Sequence, residues 1–184
     1  MKDVVRDSKR LSWLLRHGAG DQGLAMTADG WAAIDDVCAL LELDRPALDR
    51  AVQHNDKNRL QVDGQRIRAC QGHSLQGMPV TREALENSWR RVRPAGPLWH
   101  GTTQAAYEGI KAHGLLPGRR THVHLAPSKD SKVGKRSAVE VLLRIDPGEL
   151  DVFEAPNGVL LTRQVPADAI VWGDAVHRVG WSGR

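Results

Sequence analysis

The feature that most constrains this chain is a change of hydrophobic period across Arg91-Val92-Arg93-Pro94-Ala95-Gly96-Pro97. Upstream, apolar residues recur at helical spacing: Val4, Val5, Leu11, Leu14 and Leu15 over residues 3–17, then Ile34, Val37, Cys38 and Leu41. Downstream they fall into runs of strand length: LWH near 98–100, HVHL at 122–125, VEVLLRI at 139–145 and VLLT at 159–162, with a helix around 103–112. Two prolines and a glycine stop any regular element between these regimes. Residues 91–97 therefore read as a linker joining a first lobe, 1–90, to a second, 98–184. The fold class is α+β, with the second lobe mostly antiparallel.

Within the first lobe, Gly18 follows the last periodic residue and is the expected stop of helix one. Asp29-Gly30-Trp31 makes a turn before helix two. Asp44 and Pro46 open a third helix that runs to about Gln53. A hairpin follows in NRLQVDGQRIRA, residues 58–69, turning at Asp63-Gly64. The expected register sets Leu60 opposite Ile67 and Val62 opposite Gln65, leaving Arg59, Gln61, Arg66 and Arg68 on the other face. Three helices and a basic hairpin read as a winged-helix-like lobe. Arg66 and Arg68 are then either RNA contacts or a solvated strand face.

Charge and composition narrow the partners. The 184 residues are 41% hydrophobic and 26% charged, the balance of an ordinary soluble protein. No apolar run reaches the length needed to span a bilayer, and MKDVVRDSKR lacks the apolar stretch of a secretory leader. The expected location is cytoplasmic and the expected state a monomer. A net charge of +4 and a pI near 9.4 suit a polyanionic partner. One Phe and one Tyr beside six Trp argue against a base-stacking sheet and favour contact through phosphates. Cys38 and Cys70 form no CxxC pair; they read as buried, reduced thiols and exclude a cysteine zinc site.

Five short segments carry reactive side chains: Leu14-Leu15-Arg16-His17-Gly18, Asp56-Lys57-Asn58-Arg59-Leu60, Gln71-Gly72-His73-Ser74, Leu98-Trp99-His100-Gly101-Thr102, and Arg119-Arg120-Thr121-His122-Val123-His124-Leu125. Arg16 and His17 fall in the last turn of helix one, where cations can serve merely as dipole partners and where an imidazolium is favoured. His122 and His124 share a strand face, and His100 could complete a metal triad. The adjoining arginines and the lack of a nearby carboxylate argue against a metal, and none is expected. No P-loop, no Rossmann glycine fingerprint and no G-x-S-x-G elbow is present.

Taken together, in order and over most of residues 9–175, these segments resemble the RNA 2′-phosphotransferase family, called KptA in bacteria. The matching stretches are Leu11 to Gly18, Gly30-Trp31, Asp56 to Leu60, Arg68 to Ser74, Leu98 to Thr102 and Arg120 to Leu125. The resemblance implies a winged-helix lobe joined to an ADP-ribosyltransferase-like lobe, with NAD⁺ as co-substrate and a tRNA-like RNA carrying an internal 2′-phosphate as substrate. It implies that the phosphate attacks the nicotinamide ribose, releasing nicotinamide. The ribose 2″-hydroxyl then attacks phosphorus, leaving 2′-OH RNA and ADP-ribose 1″,2″-cyclic phosphate. Carried over by motif, the catalytic residues are Arg16, His17, Arg59 and Arg120. His100, Gly101, Thr102, His124, Ser128 and Val159 are expected at the dinucleotide, with Val159 in the slot where many ADP-ribosyltransferases keep a glutamate and Glu154 the carboxylate nearby. Lys57, Arg66, Arg68, His73 and Arg119 are expected at the RNA. His17 is expected to act as an acid toward the departing RNA 2′-oxygen. Competing readings are a non-catalytic RNA-binding module, an ADP-ribosyltransferase acting on terminal phosphates or protein, and a histidine metal enzyme.

Overall fold

Leu11, Leu14 and Leu15 stand three and four residues apart, and all three are fully buried. That stripe makes the first segment a helix, α1, Lys2–Trp13. The spacing predicts an unbroken α-helix to Gly18; instead the chain widens into one π-helical turn over Leu14–Gly18. Such turns are rare and concentrate at functional sites.

The computed structural model describes residues 2–55, 58–131 and 139–177. The chain divides into two units. One is Met1–Trp89 with Arg119–Thr121, and the other is Arg90–Gly118 with His122–Arg184. In the first unit, helix α2, Ile34–Leu41, buries Ile34, Val37 and Leu41 and ends where Glu42 takes a left-handed φ of 52°. Helix α3, Arg45–Gln53, starts at Asp44, whose carboxylate accepts the Ala47 N–H at 2.7 Å. A fourth helix, α4, Arg82–Ser88, is absent from the sequence reading; Thr81 caps it and Leu85 anchors it.

Strands β1 (Ala32–Ala33), β2 (Leu60–Asp63) and β3 (Arg66–Ala69) form an antiparallel sheet in the order β1-β3-β2. The expected hairpin register is off by two. Leu60 pairs with Ala69, Val62 with Ile67 and Asp63 with Arg66. The loop is Gly64-Gln65, because Gly64 supplies the positive φ of 58° that the first loop position of a tight hairpin needs. A two-residue slip preserves the faces. Leu60 and Ile67 still point to the core, and Gln61 and Arg68 still share the opposite side.

The second unit holds β4 (Arg90–Val92), β5 (Leu98–Thr102), α5 (Gln104–His113), β6 (Val123–Leu125), β7 (Val141–Ile145), β8 (Val152–Glu154), β9 (Leu160–Thr162) and β10 (Ile170–His177). They make two antiparallel sheets, β10-β7-β5 and β4-β8-β9-β6. Trp99 and Ala126 join the sheets by exchanging backbone hydrogen bonds of 2.9 and 2.8 Å. Leu98, Leu125, Leu143, Ile145 and Val152 sit in the shared apolar core, each 2% exposed or less. The expected linker thus begins inside a strand. Residues 90–92 pair with β8, and the ion pairs Arg90–Glu154 and Arg91–Asp151 tie that edge. Among the described residues, no helix is long and apolar enough to cross a membrane.

The Asp44 cap gives a direct test of this local reading. Asp44→Ala should lower the stability of the chain by about 1 kcal/mol, measured by urea unfolding; an unchanged midpoint would contradict the assigned cap.

Candidate active site

The π-turn sets Arg16 and His17 beside a segment far along the chain. The Arg16 carbonyl accepts the Ser74 N–H at 2.9 Å, and the Arg16 Nε donates to the Gly72 carbonyl at 3.3 Å. Gly72 is needed here twice over. Its φ is +88°, and a Cβ on it would fall 2.0 Å from the Arg16 guanidinium. The His17 Nδ1 lies 2.8 Å from the Ser74 hydroxyl.

Arg120 reaches the same place by backbone pairing. Ser74 and Arg120 form an antiparallel bridge, Leu75 N–H donates to Arg119 O at 2.9 Å, and Thr121 N–H donates to His73 O at 3.0 Å. Arg82 adds a 3.0 Å hydrogen bond to the Thr121 carbonyl. This explains why Arg119–Thr121, assigned to the second lobe from sequence, belongs to the first unit. Arg59 is fixed from another side. Its N–H donates to the Asn55 side chain at 3.0 Å and its carbonyl accepts from Cys70 at 2.8 Å. Asn55 is itself buried and donates to Ser8 of α1 at 3.0 Å. Asn58, just before Arg59, takes a left-handed φ of 45°, a conformation asparagine tolerates.

Electrostatics show that the three arginines share one field. The Arg16 guanidinium is pushed down to about 10, first by burial, then by Arg120 and Arg59. The influences on Arg16 besides burial are thus two further arginines. His17 is lowered from its ordinary value by burial, then by Arg16, then by Arg120. That reverses the sequence expectation of a favoured imidazolium. The helix end attracts a proton locally, but burial and two nearby guanidiniums outweigh an effect worth about 1 kcal/mol.

Other expected site residues separate. His73 is fully buried, and Gly30 lies so close that a Cβ there would be 3.0 Å from the His73 Nε2. Its side chain is a packing element rather than an RNA contact. Arg68 is likewise 5% exposed. It donates to Gln61 at 2.9 Å, to Ser88 at 2.9 Å and to the Asp29 carbonyl at 3.2 Å, and stacks 4.7 Å from the Trp31 ring. Three of its five donors are engaged inside the unit, and its burial removes it from the surface set. Arg66 is exposed, paired with Asp63 and set over the other contact of Trp31 at 5.0 Å. Arg119 is exposed, and Lys57 lies outside the described residues. Cys70 is buried and its thiol raised to about 11, while Cys38 is only half-buried.

In the second unit, His100 and His124 are brought together. The His100 Nδ1–H donates to the His124 carbonyl at 2.9 Å. Thr102 is buried, and Gly101 is glycine because a Cβ would meet Val139 at 2.5 Å. Ser128 is exposed in a turn, its carbonyl accepting from Ser131. Val159 is buried, and Glu154 is held by Arg90. Sequence reasoning did not single out Asn55, Gly72 or Ser74 as site residues, although Gly72 and Ser74 stood inside a quoted motif.

A helix widened at Arg-His and two further arginines acting on the same guanidinium bring cationic groups together in the first unit. The family model described as "RNA 2'-phosphotransferase, Tpt1 / KptA family" matches residues 2–164. A Burkholderia lata protein named "Probable RNA 2'-phosphotransferase" is 41% identical over 180 residues, covering 90% of this chain and 89% of that relative. Relatives of the same name from Pseudomonas aeruginosa UCBPP-PA14 and Streptomyces coelicolor are 40% and 37% identical, covering 94% and 92% of their own lengths. The chain belongs to the RNA 2′-phosphotransferase family and is an enzyme of that class.

Titration of His17 by NMR checks the electrostatics without any substrate. In the free protein its pKa should lie below the ordinary histidine value, and Arg120→Ala should raise it, since a neighbouring positive charge is removed. A His17 pKa that is unmoved or falls in Arg120→Ala contradicts the shared field.

Proposed function

We propose that this chain removes an internal RNA 2′-phosphate by transferring it to NAD⁺, and that Arg16, Arg59 and Arg120 bind and activate the phosphate. The observation that supports this reading is that Arg120 and Arg59 both act on the buried Arg16 guanidinium, which the π-turn and the Gly72 carbonyl hold in place. A phosphate monoester carries about −1.5 to −2 charge near neutral pH. It needs no base to become a nucleophile. It needs orientation and charge compensation, which fixed guanidinium forks supply. Arg16, even at about 10, remains cationic at neutral pH.

NAD⁺ supplies the acceptor ribose, so that the products are nicotinamide, 2′-OH RNA and ADP-ribose 1″,2″-cyclic phosphate. The second unit is read as the ADP-ribosyltransferase-like lobe and the first as the winged-helix-like lobe. His100 and His124 suit a dinucleotide. The His100 Nδ1–H is committed to the His124 carbonyl, which fixes the ring for contact with a ribose hydroxyl. Thr102 and Val159, both buried, shape that wall. Val159 adds no negative charge to that lobe, and the Glu154 carboxylate is tied to Arg90.

His17 enters neutral in the free protein, since burial and two arginines disfavour its charged form. A bound dianion offsets those arginines, so phosphate binding raises the His17 pKa and equips it to protonate the departing RNA 2′-oxygen. Ser74, 2.8 Å from Nδ1, orients the ring for that transfer.

Turnover of a defined 2′-phosphate RNA with NAD⁺ tests the reading. Loss of one charged hydrogen-bonding partner costs about 1.5–3 kcal/mol, so Arg16→Ala, Arg59→Ala and Arg120→Ala should each reduce kcat/KM by about tenfold to a hundredfold or more. Wild-type protein that releases neither nicotinamide nor dephosphorylated RNA would overturn it.

A further inference from the structure

Arg120 is placed by a backbone ladder to residues 73–75, whereas Arg59 depends on a side chain. It stands one residue before β2, straight after Asn58, whose left-handed φ of 45° turns the chain. Its carbonyl extends the hairpin ladder, accepting the Cys70 N–H at 2.8 Å. Its own N–H goes to the Asn55 Oδ1 at 3.0 Å. Asn55 in turn donates from Nδ2 to the Ser8 hydroxyl at 3.0 Å. Both partners of that bond are closed to solvent, Asn55 at 5% exposure and Ser8 at 8%.

The direction of these bonds is fixed by their partners. A backbone N–H can only donate, so the carboxamide must present its oxygen to Arg59 and its NH2 group to Ser8. Acceptor and donor lie on one rigid plane, and each contact therefore sets the geometry of the other. The Asn55 backbone has a separate task. Its N–H donates to the Val52 carbonyl at 3.1 Å and its carbonyl accepts the Asn58 N–H at 2.9 Å, which ends α3 and starts the turn. Any residue could supply those two bonds; only the side chain reaches across to another helix. Ser8 lies on α1, which packs against α3, and it precedes Arg16 by about two turns. The buried amide thus ties the backbone of Arg59 to the element that runs into Arg16 and His17. Arg59 acts on the Arg16 guanidinium, so a slip in this tie is felt there.

We propose that Asn55 is a positioning residue: its amide, anchored on Ser8, sets where Arg59 stands relative to Arg16 and so decides whether both can hold one phosphate. The inference rests on the function proposed above. Buried as it is, Asn55 acts through Arg59 rather than on the RNA. Its removal leaves every cation of the chain in place but frees the backbone that carries one of them. A displacement of about 1 Å can cost about a hundredfold where groups must be aligned. Recognition of the phosphate should therefore suffer, while contacts to the rest of the RNA do not.

The test is equilibrium binding by fluorescence anisotropy, without NAD⁺, of one oligoribonucleotide made with a 2′-phosphate and with a 2′-hydroxyl at the same position. The readout is the preference for phosphate, the ratio of the two dissociation constants, which a general loss of folded protein leaves unchanged. Asn55→Ala should reduce that preference about tenfold, with binding of the 2′-hydroxyl RNA altered less than about twofold. Arg59→Ala should reduce it by a similar or larger factor. Adding Asn55→Ala to Arg59→Ala should then change it less than about twofold further, since the group being positioned is gone. If Asn55→Ala does not fold, Ser8→Ala, which cuts the anchor and keeps the Arg59 contact, is judged by the same criteria. A preference lowered less than about twofold by the single variant, or lowered equally in the wild-type and Arg59→Ala backgrounds, overturns the inference. A preference lost in Arg59→Ala but kept in Asn55→Ala sinks the positioning role alone. If wild type shows no preference for the phosphate, the proposed function fails with it.

Discussion

Two arginines distant in sequence, Arg120 and Arg59, act on the buried guanidinium of Arg16, and the backbone of the first unit is arranged to hold all three positions. Burial and two neighbouring cations lower the affinity of Arg16 for its own proton, an energetic cost that a folded chain sustains only when the surrounding backbone over-determines the geometry. Here it does. Arg16 is held by the π-turn and the Gly72 carbonyl, Arg59 by Asn55 and Cys70, and Arg120 by its pairing with Ser74. Each anchor is a backbone hydrogen bond or a buried amide, so the backbone at all three positions is set before any ligand arrives. Preorganisation of this kind is what lets charged groups stabilise a developing charge without reorganising during the reaction.

The same field sets the state of His17. A histidine at a helix end, read locally, should hold a proton more firmly. In the folded chain the nearest charges are Arg16, adjacent in sequence, and Arg120, more than a hundred residues away, and both push the other way. In the proposed reaction this couples phosphate to proton, because the anion bound by the arginines is also the group that equips His17 as an acid.

How much of this was legible beforehand depends on the range of the interactions involved. Helices α2 and α3, the faces of the hairpin and the strands β5, β6, β7 and β9 follow from period and capping residues, which are local. Helix α4 and strands β4, β8 and β10 escaped because they are short, or because their pairing partners are distant in sequence. The π-turn left no local trace, since Leu14-Leu15-Arg16-His17 continues a helical pattern without interruption. Arg68 and His73 looked like surface cations, yet the groups that enclose them, Asp29, Gln61, Ser88 and Gly30, come from other segments. Arg120 was legible as a motif residue but not as a member of the first unit, because only the backbone ladder to residues 73–75 reveals it. Motif order carried the family; three-dimensional pairing decided which of its charged residues are exposed to a ligand and which are structural.

The most direct measurement of the central claim is the anomalous diffraction of crystals soaked in a heavy tetrahedral oxyanion such as tungstate. A single strong peak within hydrogen-bonding reach of Arg16, Arg59 and Arg120 together is the predicted result. Anions scattered singly over these side chains, or none near them at all, would contradict the claim that the three cations are built to grip one phosphate.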